Sequence, residues 1–198
     1  AIFWNITVAA GLIGIAIGHT QGREYAELPW PVDIMVVISF SMVVFNILMT
    51  VRQRKESILF VSIWYTTAAV VLTSVTYCLG NVIWKPDTGA LQGIPDAILL
   101  WFYGHNIFGL LLTPMGLGVA YYVLPIATRS PLYSHTLSLL GFWSLIIVYT
   151  HIGTHHLLQA PAPTWLKLIS VVDRVAMTIP VKAVIRPFEK NKTQYTSG

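Results

Sequence analysis

The chain has 198 residues, 55% of them hydrophobic and only 10% charged, with a mean hydropathy of +0.67. That balance excludes an ordinary soluble domain and fits an integral membrane protein. The net charge of +4 is no nucleic-acid signal, because Lys and Arg sit between the apolar runs. The single cysteine, Cys78, excludes a disulfide framework and a CxxC metal site, and is expected to pack as a small apolar residue.

A segment crossing a hydrocarbon core of ~30 Å needs about 20 mostly apolar residues. Six runs qualify, near 2–19, 32–51, 57–82, 97–124, 132–158 and 165–185. The sixth is the weakest, since it contains Asp173, Arg174, Pro180 and Lys182. No basic n-region precedes the first run, so nothing marks it as a cleavable signal peptide. Helices are expected, because a spanning segment must satisfy its own backbone hydrogen bonds and these runs are too long and uniform for barrel strands. The predicted fold class is an all-α integral membrane bundle of about six transmembrane helices over 1–185, followed by a polar basic tail over 186–198.

Arg52, Arg54, Lys55, Arg129, Arg186, Lys190 and Lys192 fall on one side of this arrangement. Arg23 and Lys85 fall on the other, with Lys167 near that boundary. The positive-inside rule puts the first set in the cytoplasm, and with it the N-terminus. Trp30, Trp84, Trp101 and Trp165 then line the outer boundary as an aromatic belt.

The stretch "VYTHIGTHHLLQAPAP" at 148–163 places Tyr149, His151, His155 and His156 inside an apolar run. Ionisable groups within a bilayer are functional candidates. His105, about nine residues into the fourth run, lies about 14 Å down it, at a depth matching His155 and His156. Runs four and five are joined by a short loop and should be antiparallel neighbours. Tyr149 and His156, seven apart, then lie near one helix face, with Tyr149 the deeper. Three imidazoles with an open position suit copper or zinc. Hydrogen bonding between helices is the alternative use of such histidines.

"WFYGHN" at 101–106 and "RSPLYSHTLSLLGFWSLIIVYTHIGTHHLL" at 129–158 resemble the catalytic subunit of cbb3-type, C-family haem-copper cytochrome c oxidases. "REYAELPWP" at 23–31 and "RQRKESILFVSIWY" at 52–65 resemble the same subunit, and the likeness extends to about Pro180. The resemblance implies His105, His155 and His156 as ligands of the copper called CuB. It implies Tyr149 as the tyrosine that is cross-linked to the first histidine and supplies a proton and an electron during O–O cleavage. The related nitric oxide reductases lack that tyrosine, so it favours oxygen reduction. Ser138 with Tyr121 or Tyr122 would belong to a proton path from the cytoplasmic side. Glu24, with the Gly18 carbonyl, would contribute to a calcium site near the haem propionates. The implied cofactors are copper, haem b and calcium. The implied partners are oxidase chains with c-type haems and cytochrome c or a similar donor, in a bacterial inner membrane.

The pattern departs in three places. His151 stands where the family has tryptophan, and Thr154 where it has proline. His151 and His155 are four apart and can face one partner, so His151 is expected beside the metal ligands or in packing. Only the third to eighth of about a dozen family spans are matched, and the haem ligands lie on the others. His19 and His135 are expected to be boundary residues rather than haem ligands. The likeness is expected to extend no further than about Pro180. A chain of this extent is expected to need partner chains to reduce oxygen. Three other readings remain: a non-catalytic structural or assembly subunit of the same descent, a nitric oxide reductase-like subunit, and, through "HIGTHH", a membrane di-iron oxygenase.

Overall fold

The computed structural model describes the backbone of residues 1–82 and 92–193, and side chains through Arg186. Trp84 and Lys85, assigned above to the outer boundary, lie outside the described residues, as do the side chains of Lys190 and Lys192. Eight α-helices follow one another among the described residues: α1 Ile2–Ala16, α2 Trp30–Arg52, α3 Val61–Tyr77, α4 Ile94–Asn106, α5 Thr113–Thr128, α6 His135–Thr150, α7 Thr164–Ala176 and α8 Thr178–Thr193. A π-helical turn, Cys78–Val82, extends α3, and another, Ile107–Leu112, joins α4 to α5. A 3₁₀ segment, Ile152–Leu157, follows α6. There is no strand among the described residues, so the all-helical membrane bundle expected from composition is the fold observed.

Among the described residues, four helical segments, counted with the π-helical and 3₁₀ turns that extend them, are long and apolar enough to cross a membrane: Trp30–Arg52, Val61–Val82, Ile94–Thr128 and His135–Leu157. The first run is apolar but its helix is only 15 residues long. The sixth departs most from expectation. A single helix over 165–185 is replaced by α7 and α8, separated at Met177. Pro180 gives the reason, since its ring would clash with the carbonyl four residues earlier, that of Ala176. The helix α8 then runs to Thr193, past the start of the expected tail at 186.

Local chemistry sets the other ends. The helix α2 opens with Pro31 in its first turn and Asp33 behind it, and closes on Arg52, a charge order that complements the helix dipole. The helix α6 is capped by Ser134, whose hydroxyl accepts from Leu137 N at 3.1 Å. Between α1 and α2 the chain turns at Gly18 (φ 85°) and Gly22 (φ 67°), where a side chain would be strained.

Between helices in lipid there is little hydrophobic driving force, so close approach at small residues carries the packing. Gly118 of α5 faces the Ser62 carbonyl of α3, and Gly141 of α6 faces Ala183 and Val184 of α8. One core cluster joins Val61, Tyr65, Tyr121, Phe142, Leu145 and Val184, with Tyr149 packed against it. The other joins Ala26, Val36, Tyr77 and Tyr103. His105 follows Tyr103 by two residues on α4, which puts the histidine next to the second cluster while its ring meets Tyr149 of the first.

Candidate metal centre

His105, His155 and His156 converge, with one ligand atom from each lying within 4.8 Å of the others. Nδ1 of His105 is 3.4 Å from Nε2 of His156. Ring centroids are 4.9 Å apart for His105 and His155, and 4.2 Å for His155 and His156. Nε2 of His105 and Nδ1 of His155 are buried without a hydrogen-bond partner. Buried polar atoms are ordinarily paired, so these two ring nitrogens are open to a further partner. Metal–nitrogen bonds are about 2.0–2.1 Å, which puts two nitrogens on one metal at most ~4 Å apart. The observed set fits a single ion after closing by up to about 1 Å.

Three features of the backbone make this convergence possible. The helix α6 stops at Thr150, so the expected continuous helix to Leu158 gives way to a 3₁₀ segment. Gly153 in that segment abuts α4, where a Cβ would come within 2.7 Å of the Trp101 carbonyl oxygen and 3.3 Å of the His105 Cβ. Second, Asn106 donates to the Thr150 carbonyl at 3.1 Å, tying α4 to the end of α6. Third, the π-helical turn after Asn106 contains Gly109, whose missing side chain makes room for the Tyr149 ring. Wide turns of this kind recur at functional sites.

The side chains around the histidines are aromatic. Tyr149 stacks on His105, with centroids 4.4 Å and planes 18° apart. Trp101 stacks on His156 at 4.0 Å and 13°. Tyr25, held at φ 61° in the α1–α2 loop, packs edge-on against Trp101 and Phe108. Thus Trp101, His105 and Asn106 of "WFYGHN" each have a distinct contact: a ring under His156, an imidazole in the cluster, and a tie to α6.

His151 stands apart from the cluster. Its ring is exposed, and Nδ1 lies 3.5 Å from Oδ2 of Asp173. The helix α6 ends at Thr150, before both His151 and His155, so their spacing of four no longer implies a shared helix face. Of the three histidines in "HIGTHH", only His155 and His156 join the cluster, with His105 from α4 as the third imidazole. His19 and His135 are exposed at helix boundaries, and Nε2 of His135 lies 3.3 Å from the Leu59 carbonyl. Cys78 is a partly buried free thiol in the π-helical turn after α3.

Ser138 and Tyr121 are buried at 0% and 6% exposure, whereas Tyr122 is 64% exposed on this chain. Tyr121 stacks on Tyr65, and Ser138 donates to the Ser134 carbonyl. Glu24 and Gly18 are exposed in the α1–α2 loop, and no group of three acidic or histidine ligands includes Glu24 among the described residues.

Two buried polar clusters escaped the sequence reading. Arg23 grips both carboxylate oxygens of Asp96 at 2.7 and 3.2 Å, and donates to the Gly80 carbonyl at 2.9 Å. Asp33, fully buried, accepts from Tyr77 Oη and Gln21 Nε2, each at 2.6 Å. The signal for Asp33 was present, a carboxylate inside an apolar run. The partnership of Arg23 with Asp96, 73 positions away, had none.

A family model described as "Cytochrome C and Quinol oxidase polypeptide I" matches residues 1–191. The chain is 32% identical over 184 residues to "Cbb3-type cytochrome c oxidase subunit CcoN1" of Stutzerimonas stutzeri, covering 89% of this chain and 38% of that one. It is 31% identical over 183 residues to "Cytochrome c oxidase subunit 1" of Rhodobacter capsulatus, covering 89% and 34%. With "Cytochrome c oxidase subunit 1 homolog, bacteroid" of Bradyrhizobium diazoefficiens it shares 33% over 184 residues, covering 89% and 33%. The chain spans about a third of the length of these relatives. A helical membrane bundle with this match along almost its whole length belongs to the cytochrome c and quinol oxidase polypeptide I family, with cbb3-type subunits among its relatives.

Proposed function

We propose that this chain supplies three histidine ligands of CuB and the adjoining redox tyrosine to a cbb3-type cytochrome c oxidase, which reduces oxygen to water and translocates protons. The observation that carries the reading is the convergence of His105, His155 and His156 with Tyr149 stacked on the first of them. Neutral imidazole is a good copper ligand, and the two unpartnered ring nitrogens favour a ligand role. Copper, when bound to these histidines, would supply one-electron exchange.

The chain's own residues would do the rest. Trp101 fixes the plane of the His156 ring by stacking, which limits the conformations the ligand must give up on binding. Tyr149 sits beside His105 with a phenol able to give a proton where the ligand is reduced. Buried Ser138 and Tyr121 would serve a proton path to Tyr149 from the side that carries Arg52, Arg54 and Arg129; Tyr122 would join them only at the surface of this chain. Glu24, with the Gly18 carbonyl, is assigned the calcium position. The loop charges favour an orientation with the N-terminus inside, and the likeness to bacterial cbb3-type subunits favours a bacterial inner membrane. Haem b groups are assigned to helices beyond those described, and electrons to c-type haem partners and a cytochrome c or similar donor.

Metal and haem analysis of the complex purified with its natural partner chains tests the reading. One copper per complex is expected, with loss of that copper in His105→Ala and in His155→Ala. A haem-containing complex without copper, or with copper unchanged in both variants, overturns it and favours a structural subunit. Iron at the histidines would favour di-iron chemistry instead.

A further inference from the structure

The helix α7 carries Lys167, Ser170 and Asp173 at intervals of three, so the three side chains lie along one side of the helix. All three reach the segment that bears the histidine pair. Ser170, fully buried, donates to the Ile152 carbonyl at 2.9 Å. Lys167 Nζ donates to the Ala160 carbonyl at 2.6 Å. Asp173 meets His151 at 3.5 Å. The contacts at 151 and 152 precede His155 and His156 in the chain, and the contact at 160 follows them. The pair is therefore held from both ends by one helix.

The segment between those ends needs such support. A 3₁₀ turn has poorer hydrogen-bond geometry than an α-helix and is seldom long. Ser170 adds a donor to the Ile152 carbonyl, at the point where α6 has ended. Gly153, which has no side chain to pack, leaves the position of the turn to its neighbours on α4 and α7.

We propose that α7 is a clamp that sets the position of His155 and His156 relative to His105, with Ser170 as the positioning residue and the His151–Asp173 pair as its outer tie. This gives His151 a use within the histidine-rich stretch without making it a ligand. Partners outside the ligand set that orient metal ligands are commonly worth about 10- to 100-fold in metal affinity. The copper part of the proposal rests on the reading of the cluster as a metal centre; the clamp itself does not.

Two measurements on the complex assembled with its natural partners test it. Amide hydrogen exchange across 152–157 reads the clamp without reference to metal. Ser170→Ala is expected to speed exchange there, Ser170→Thr to restore it by keeping the hydroxyl, and Ser144→Ala, remote on α6, to leave it unchanged. Copper retention against a chelator reads the consequence, with a loss of about 10- to 100-fold expected in Ser170→Ala and recovery in Ser170→Thr. Unchanged exchange over 152–157 in Ser170→Ala overturns the clamp. If exchange responds but the parent complex binds no copper, the clamp stands and the copper reading falls. Should Ser170→Ala fail to assemble, Asp173→Ala decides the matter, since it removes the acceptor of the tie at the exposed end: faster exchange supports the clamp and unchanged exchange overturns it.

Discussion

The ring of Tyr149 lies parallel to the imidazole of His105, 4.4 Å away, over the bare backbone of Gly109. Three elements meet in that contact: α4, the π-helical turn and α6. The stack needs only the ring, whereas proton donation needs the hydroxyl. Tyr149→Phe should therefore keep the copper and the fold while lowering oxygen consumption by about 10²-fold or more. Copper content and turnover measured on the same preparation separate the two effects. Full turnover in Tyr149→Phe would remove the tyrosine from the chemistry.

Gly109 is the floor of the Tyr149 pocket, and a methyl group there overlaps the ring. Gly109→Ala should destabilise the assembled complex by about 1–3 kcal/mol, the usual range for overpacking. Gly116→Ala is the matched control, because nothing lies within 4 Å of its Cβ position and the residue is exposed. It should be neutral or stabilising by up to about 1 kcal/mol, since alanine is the better helix former. Thermal midpoints of the two variants give the comparison, and equal midpoints would argue that Tyr149 is not seated as described.

A metal that binds only the folded state stabilises it by mass action. Returning copper to a copper-depleted complex at about 100 times its dissociation constant should add about 2.7 kcal/mol to stability. His156→Ala should abolish the gain, because it removes one of three convergent nitrogens. An undiminished copper-dependent shift in that variant would place the metal elsewhere.

Arg23 and Asp96 are 9% and 20% exposed and share two hydrogen bonds. Removing either partner leaves a largely buried charge unpaired, at a cost of about 3–5 kcal/mol. Arg23→Gln and Asp96→Asn should each lower stability by nearly that amount. The double variant should cost clearly less than the two together, as coupled neighbours do not add. Additive losses would show that each residue acts through separate contacts, for Arg23 the Gly80 carbonyl.

The amino-acid sequence by itself determined the membrane helices, because in lipid every backbone group of a long apolar run must bond within that run. It also determined the candidate ligands: the motif around His105 and the paired His155 and His156 are local, and their likeness to a known family is carried by a few adjacent residues. Only the tertiary structure decided where the helices stop and what the polar side chains face. The ends at Thr150 and Met177 depend on Gly153 abutting α4 and on Pro180 rejecting the Ala176 carbonyl. The departure of His151 from the cluster follows from the first of those ends, since helical periodicity predicts a shared face only while the helix continues. Arg23 and Asp96, 73 positions apart, meet because packed helices bring the α1–α2 loop over the start of α4, and no local pattern encodes that crossing.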